Sequence, residues 1–296
     1  MKPIATRAAL AAALLAATPL AAQQSFDWNG GVSAGSTLRV FTQNGTVTVT
    51  ASSDGRAHIH GTTENASSGE IRYLTVGGSG GDVRVCAVRD DATCGDNGID
   101  GRGNRGWSMR NRRGRANFTV SVPRGVVVRV SSGNGDVTVD GATADVNAGS
   151  GNGDVRVGSG AAQVSATTGN GAVMVENARG PVRASSGNGR VTINAASGPV
   201  NASTGNGRIE VAIASLRGAG DMEFSSGNGS VTLTLPPDFG ADFEGSTGNG
   251  SIQTDFPVRV QGRVSAHRML GTIGNGGRRL HLSTGNGSIN LRRAGS

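Results

Sequence analysis

The sequence predicts an all-β protein: a single-chain β-solenoid, or β-helix, with coils of about 18 residues, an N-terminal β cap and an irregular Arg-rich insertion. Three observations predict it. Glycine supplies 50 of 296 residues while aromatic side chains make up 3%, so the chain needs repetition or a narrow core of small residues. The triplet Gly-Asn-Gly recurs at a fixed interval. The residues after each triplet alternate between apolar and variable, the period of a strand with one face inward.

The first segment, MKPIATRAALAAALLAATPLAAQQ, has a basic start, an apolar run over Ala8–Ala17 and small residues at Ala21 and Ala22. It reads as a signal peptide, residues 1–22, cleaved before Gln23. The run is shorter than the ~20 residues that cross a bilayer, and no transmembrane segment is expected after removal. Loss of Lys2 and Arg7 takes the formal charge from +7 to +5 (7 minus 2). The mature chain is expected to be exported: periplasmic, at the cell surface or secreted.

Residues 23–87 read as the N-terminal β cap. Within them LRVFTQNGTVTV, Leu38–Val49, is an early degenerate coil with its own Asn-Gly turn, and AHIHGT and EIRYLTV are further strands. Residues 88–115 form the Arg/Gly-rich insertion, and residues 116–296 the solenoid repeat domain.

In the repeat domain, Gly-Asn-Gly is centred on Asn134, Asn152, Asn170, Asn188 and Asn206, each 18 residues after the last. It continues at Asn228, Asn249, Asn275 and Asn286 with spacings of 22, 21, 26 and 11. A fixed period is the signature of stacked repeats. Three positions after the Asn stand Val137, Val155, Val173, Val191, Ile209, Val231, Ile252 and Ile289. Two further on, the residues are again mostly apolar, from Val139 to Leu291. A second strand ends each unit, its inward columns running from Val128 to Leu280 and through Val130, Ala148, Ala166, Ala184, Ala202 and Phe224. Stacking puts each strand ~4.8 Å from its copies in the neighbouring coils. The last coil, Arg278–Arg293, is expected to form the exposed final edge. The longer units, from Leu216 and from Pro236, are expected to bulge at the corner away from the triplets.

Gly-Asn-Gly itself reads as turn chemistry, since glycine accepts positive φ and Asn tolerates the left-handed region. Stacked at one corner, Asn134, Asn152, Asn170, Asn188, Asn206, Asn228, Asn249 and Asn286 predict a side-chain amide ladder. The preceding Ser or Thr, from Ser132 to Thr284, predicts a hydroxyl ladder beside it. Phosphate binding by a glycine-rich loop requires a following helix, and strands follow here. Calcium along the stack requires repeated carboxylates. Asp136 and Asp154 give way to Ala172, Arg190 and Arg208 in the same column.

Cys86 and Cys94, close together in an exported chain, predict a disulfide. The insertion carries GRGNRGWSMRNRRGR. Its Arg105, Trp107, Arg110, Arg112, Arg113 and Arg115 are the candidate ligand-binding residues, holding an anionic surface polysaccharide or other envelope component by charge and stacking. The alternative for this run is a solvated loop. Asp91, Asp96 and Asp100 match no standard calcium loop. His58 and His60 alternate on one strand, but a metal would need a third ligand that the sequence does not identify. No metal or other cofactor and no nucleic acid is expected. Serines lack a nucleophile setting with His and acid, and the scattered acidic residues lack the carboxylate pairing of glycoside hydrolysis. An enzyme is therefore not expected, so the catalytic residues number none.

The run Phe118–Val157, FTVSVPRGVVVRVSSGNGDVTVDGATADVNAGSGNGDVRV, resembles the bacterial "putative adhesin" family, a domain-of-unknown-function family of exported β-repeat proteins. The resemblance rests on the Val-Pro-x-Gly lead-in at Val122–Gly125, the repeated S/T-G-N-G-x-V/I-x-V unit and the closing LHLSTGNGSINL at Leu280–Leu291. It covers the chain from about Leu38 onward. It implies an envelope location and a non-enzymatic adhesion-like or scaffold role, and supplies no catalytic residues. The alternatives are a purely structural spacer of the envelope and a polysaccharide-active β-helix enzyme.

Overall fold

The structure, a computed structural model, describes residues 25–66, 70–77, 80–89, 92–100, 114–213, 215–260 and 265–295. The expected signal peptide lies outside them. Among the described residues there is no helix, and none long and apolar enough to cross a membrane.

Two long sheets face each other. Among the described residues, a front sheet of 12 strands holds the segments that follow the stacked Asn-Gly turns, and a back sheet of 13 holds those that precede them. Through the middle of the stack all pairing is parallel and in the register of the repeat. Val128 lies opposite Val146 and Asn134 opposite Asn152 on the back sheet, and Val137 opposite Val155 on the front. One coil is therefore a back strand such as Val164–Asn170, a turn, and a front strand such as Val173–Glu176.

Alternation dictates what is buried. Val164, Ala166, Val173 and Val175 are each within 1% of fully buried, and their counterparts in the other coils continue one core along the stack. Small residues are required because only two short strands enclose that core. Burying each Val stabilises by about 1.5–3 kcal/mol, and repetition supplies the sum that a narrow cross-section cannot.

The corner at Gly-Asn-Gly needs glycine for a second reason beside φ. At Gly171 (φ +151°) an added Cβ would stand 2.2 Å from the Gly153 carbonyl oxygen of the neighbouring coil. The turns stack backbone on backbone, with no space for a side chain between them.

The two ends depart from the simple stack. Near the start, Thr37–Asn44 and Val47–Ala51 form a full coil directly beside Val127–Asn134 and Val137–Val139. The intervening chain, together with the preceding Ser25–Gly30, builds the cap. Arg115–Val122 continues the front sheet in parallel with Val47–Ala51, and Ala57–Glu64 and Ser25–Gly30 follow antiparallel. On the back sheet Val83–Arg89 and then Ile71–Gly77 close the end.

At the other end the order of coils corrects the sequence reading. The last coil, Arg279–Asn286 and Ile289–Arg293, is not the final edge. It lies between the coil of Met222–Asn228 and that of Ala241–Asn249. The edge is formed by Ala241–Asn249 with Ile252–Thr254, covered on the back sheet by the antiparallel Arg268–Ile273 and Val258–Val260. Both coils carry the repeat register, so either fits beside Met222–Asn228 by pattern alone. The antiparallel cap is one that only Ala241–Asn249 receives. The triplet at Asn275 also leaves the stack: Gly274 (φ +57°) and Gly276 (φ +72°) turn the chain from the cap into the last coil. The long units at Leu216 and Pro236 fall between a front strand and the next back strand, the corner opposite the triplets.

Candidate functional site

The triplet corner carries a continuous chain of amides. Each Nδ2 donates to the Oδ1 of the next coil toward the N-terminal end, at 2.7 Å throughout: Asn249 to Asn286, Asn286 to Asn228, and on through Asn206, Asn188, Asn170, Asn152 and Asn134 to Asn44. Asn44 is a ladder member that the sequence reading left out. Its signal was Asn44-Gly45-Thr46-Val47, which matches the unit without the leading glycine. Chains of hydrogen bonds running one way polarise one another, so donor character collects at Asn44 and acceptor character at Asn249.

The expected hydroxyl ladder takes another form. Each hydroxyl reaches the carbonyl of the second glycine in the adjacent coil rather than another hydroxyl. Thr168 Oγ1 donates to Gly153 at 2.7 Å, and Ser132 Oγ to Gly45 at 2.7 Å. These side chains are mostly buried, and the close approach of the glycine turns puts a carbonyl nearer than the next hydroxyl.

The same bond shows how the ladder ends. Thr42 Oγ1 donates to the carbonyl of Ala116 at 3.1 Å, so Ala116 stands in the glycine slot. Arg115, one residue earlier, stands in the slot of the next asparagine. There the stack opens into a groove of about 870 Å³. Asn44, Thr46, Asn65, Arg115, Asn117, Asn134, Asp136 and Asn152 line it, with Gly45, Gly114 and Gly135. Among the described residues the Asn44 Nδ2 meets no acceptor. Asn65 holds φ +53° there, a conformation Asn tolerates. The Asn117 Oδ1 accepts from the Thr46 N–H at 3.0 Å, and the Asp136 Oδ1 from the Asp154 N–H at 2.8 Å. The groove thus presents amide donors, one guanidinium and one carboxylate with an oxygen to spare. Such a surface matches a polyhydroxylated ligand, whose hydroxyls both donate and accept. Its volume falls in the range of small-molecule sites.

Of the candidate ligand-binding residues, Arg115 is the one placed, exposed at the start of Arg115–Val122. Arg105, Trp107, Arg110, Arg112 and Arg113 lie outside the described residues. The described part of the insertion is tied to the back sheet. Cys86 and Cys94 are disulfide-bonded, with Cα atoms 5.8 Å apart. The bond ties the hairpin of Thr93–Gly95 and Gly98–Asp100 to the outer face of the back sheet. There Phe41, Cys86, Val88 and Ala92 form a small second core. Asp96 pairs with Arg84.

The histidines also have partners. His58 lies 2.7 Å from both the Asn29 Oδ1 and the Asp54 Oδ2, and His60 lies 2.6 Å from the Asp27 Oδ1. They join Ala57–Glu64 to Ser25–Gly30 across the outside of the front sheet. The Asp54 carboxyl is held well below the usual carboxylate range by hydrogen bonds from the Arg56 N–H, Ser52 and His58. Among the described residues no three His, Cys, Asp or Glu side chains come together to hold a metal.

The pattern of the Toastrack DUF4097 family matches residues 35–292. The chain belongs to that family. The span takes in the first coil, the cap, the insertion and the intercalated last coil. Among solved structures, the Toastrack chain is similar to a "putative adhesin" from Bacteroides fragilis, with 13% identity, a TM-score of 0.47, and 92% of this chain and 98% of that one covered. It is also similar to a "putative cell adhesion protein" from Clostridium sporogenes, with 11% identity, a TM-score of 0.33, and coverage of 92% and 99%. A third, a "putative adhesin" from Parabacteroides merdae, has 11% identity, a TM-score of 0.41, and coverage of 90% and 96%. Among curated proteins none matches the chain.

Proposed function

We propose that this Toastrack protein is an exported, non-enzymatic adhesin-like module of the bacterial cell envelope, which binds a surface glycan at the N-terminal end of its amide ladder. One observation carries the reading: the groove where Arg115 replaces the next ladder asparagine and Asn44 offers an unmet donor. Sugar hydroxyls fit the amides and the Asp136 carboxylate. The Arg115 guanidinium, with Arg105, Arg110, Arg112 and Arg113 preceding it in sequence, favours a polymer bearing negative charge. Trp107 adds a stacking surface in the same run. The disulfide supports export, since such bonds persist in oxidising compartments.

The test is binding of residues 23–296 to acidic and neutral polysaccharides at low and moderate salt, beside an Arg110→Ser, Arg112→Ser, Arg113→Ser variant and an Asn117→Ala variant. The reading expects saturable binding to the acidic polymer, weakened by salt and by either variant. Binding that ignores Asn117→Ala removes the groove from the proposal. Absence of binding to every polymer leaves the structural spacer as the better account.

A further inference from the structure

The heptapeptide Ser-Thr-Gly-Asn-Gly-Ser-Ile occurs twice, at Ser246–Ile252 and Ser283–Ile289. Both copies sit on the ladder, and they are neighbours in the stack. They differ in one respect. The second copy is enclosed by a coil on each side, and the first belongs to the coil at the edge.

That difference falls on the group that controls asparagine chemistry. In an Asn-Gly pair the glycine nitrogen, unhindered by a side chain, can attack the Asn Cγ. The new N–Cγ bond forms as the bond from Cγ to the side-chain nitrogen breaks. Ammonia leaves with the proton of the attacking amide, and a five-membered succinimide remains. Solvent water then opens either of its C–N bonds, giving aspartate or isoaspartate. The sum is asparagine plus water to aspartate plus ammonium. Attack requires the glycine N–H to be free and its peptide to rotate.

In every enclosed coil that N–H is engaged. Gly171 donates to the Asn188 carbonyl at 3.0 Å, Gly229 to Asn286 at 2.8 Å, and Gly287 to Asn249 at 2.8 Å. Gly250 has no coil beyond it, and among the described residues its N–H meets no acceptor. The Asn249 Oδ1 likewise accepts nothing, while its Nδ2 donates inward to Asn286. We propose that Asn249 is the deamidation site of the ladder, with the remaining ladder asparagines protected by the stack. Conversion removes the Nδ2 donor and sets a carboxylate against the Asn286 Oδ1, opening the last bond of the ladder. The isoaspartate product also lengthens the backbone by one methylene and breaks the register of the edge coil. The C-terminal cap thereby carries a chemical clock.

The two identical heptapeptides supply the internal control. Folded protein is held at mildly alkaline pH, and both peptides are followed by mass-spectrometric mapping. Asn249 is expected to convert about fivefold or more faster than Asn286, the factor set by one backbone hydrogen bond. In denaturant the two should convert at the same rate, since their neighbours are the same. Equal rates in the folded protein, or faster conversion at Asn286, overturn the proposal.

Discussion

At the triplet corner the coils from Asn134 to Asn228 turn on the same three residues, whereas the opposite corner changes in length and composition from coil to coil, as at Leu216–Asp221 and Pro236–Gly240. Packing explains the contrast. At the triplet corner the turns stack backbone against backbone: an added Cβ would stand 2.0 Å from a carbonyl oxygen at Gly189 and 2.1 Å at Gly207. At the opposite corner the 18-residue coils approach as closely, an added Cβ at Gly180 standing 2.2 Å from the Ala162 carbonyl oxygen, but in the longer unit Gly218 has nothing within 4 Å of the same position. Repetition is kept where the neighbouring coil leaves no space, and insertions collect where the chain bows outward.

The strongest test of that contrast substitutes one glycine at each corner. Gly171→Ala forces a methyl group into the Gly153 carbonyl and a strained φ together. A loss on the order of 3 kcal/mol or more is expected. Gly218→Ala meets only the φ penalty, roughly 1 kcal/mol. Chemical denaturation of both variants checks the ranking, and equal losses would mean that the corners do not differ in packing.

A smaller effect is expected from the buried hydroxyls. Thr168→Val keeps the shape and removes the donor to the Gly153 carbonyl. The expected cost is about 1–2 kcal/mol, and Thr168→Ser should recover most of it. A cost for Thr168→Val no larger than for Thr167→Val, whose side chain is exposed, would show that the bond contributes nothing net.

Much of this architecture is legible in the sequence because a one-residue change in alternation would turn Val155 or Val173 to the solvent. The strands and the ladder follow from that constraint. The order of the last coils does not, because Ser246–Ile252 and Ser283–Ile289 present the same residues in the same register. Pattern cannot say which lies inside, and the antiparallel strands Arg268–Ile273 and Val258–Val260 decide it. The groove was equally hidden. Arg115 was singled out for its charge within an Arg-rich run, but its place in the asparagine slot depends on a pairing between segments 71 residues apart, seen in the bonds that Thr46 donates to the Asn117 Oδ1. Asn65 and Asp136 gave no signal of a shared site for the same reason.

The smallest effect separates the corners by acid. The ladder contains no ionisable group, whereas the carboxylates of Asp54 and Asp82, held below their usual range, both lie away from it. Asp82 accepts from the Thr37 N–H at 2.8 Å and from the Arg39 Nη1 at 2.9 Å, where the first back strand begins. The Thr37 N–H chiefly lowers its pKa, and the Arg39 hydrogen bond adds to this. A carboxyl whose folded pKa lies below its unfolded one stabilises the fold above the ordinary value of 3.8. That contribution is lost as pH falls through the folded value. Both groups are exposed, so the effect on global stability is small and should appear as local opening. Amide exchange at Thr37 should accelerate as pH falls from about 4, beyond the intrinsic pH dependence of exchange, while the Gly153 and Gly171 amides, bonded along the ladder, keep their protection. Asp82→Asn should loosen Thr37 already at neutral pH. Acid opening of Gly153 and Gly171 together with Thr37 would mean that the corners yield as one unit.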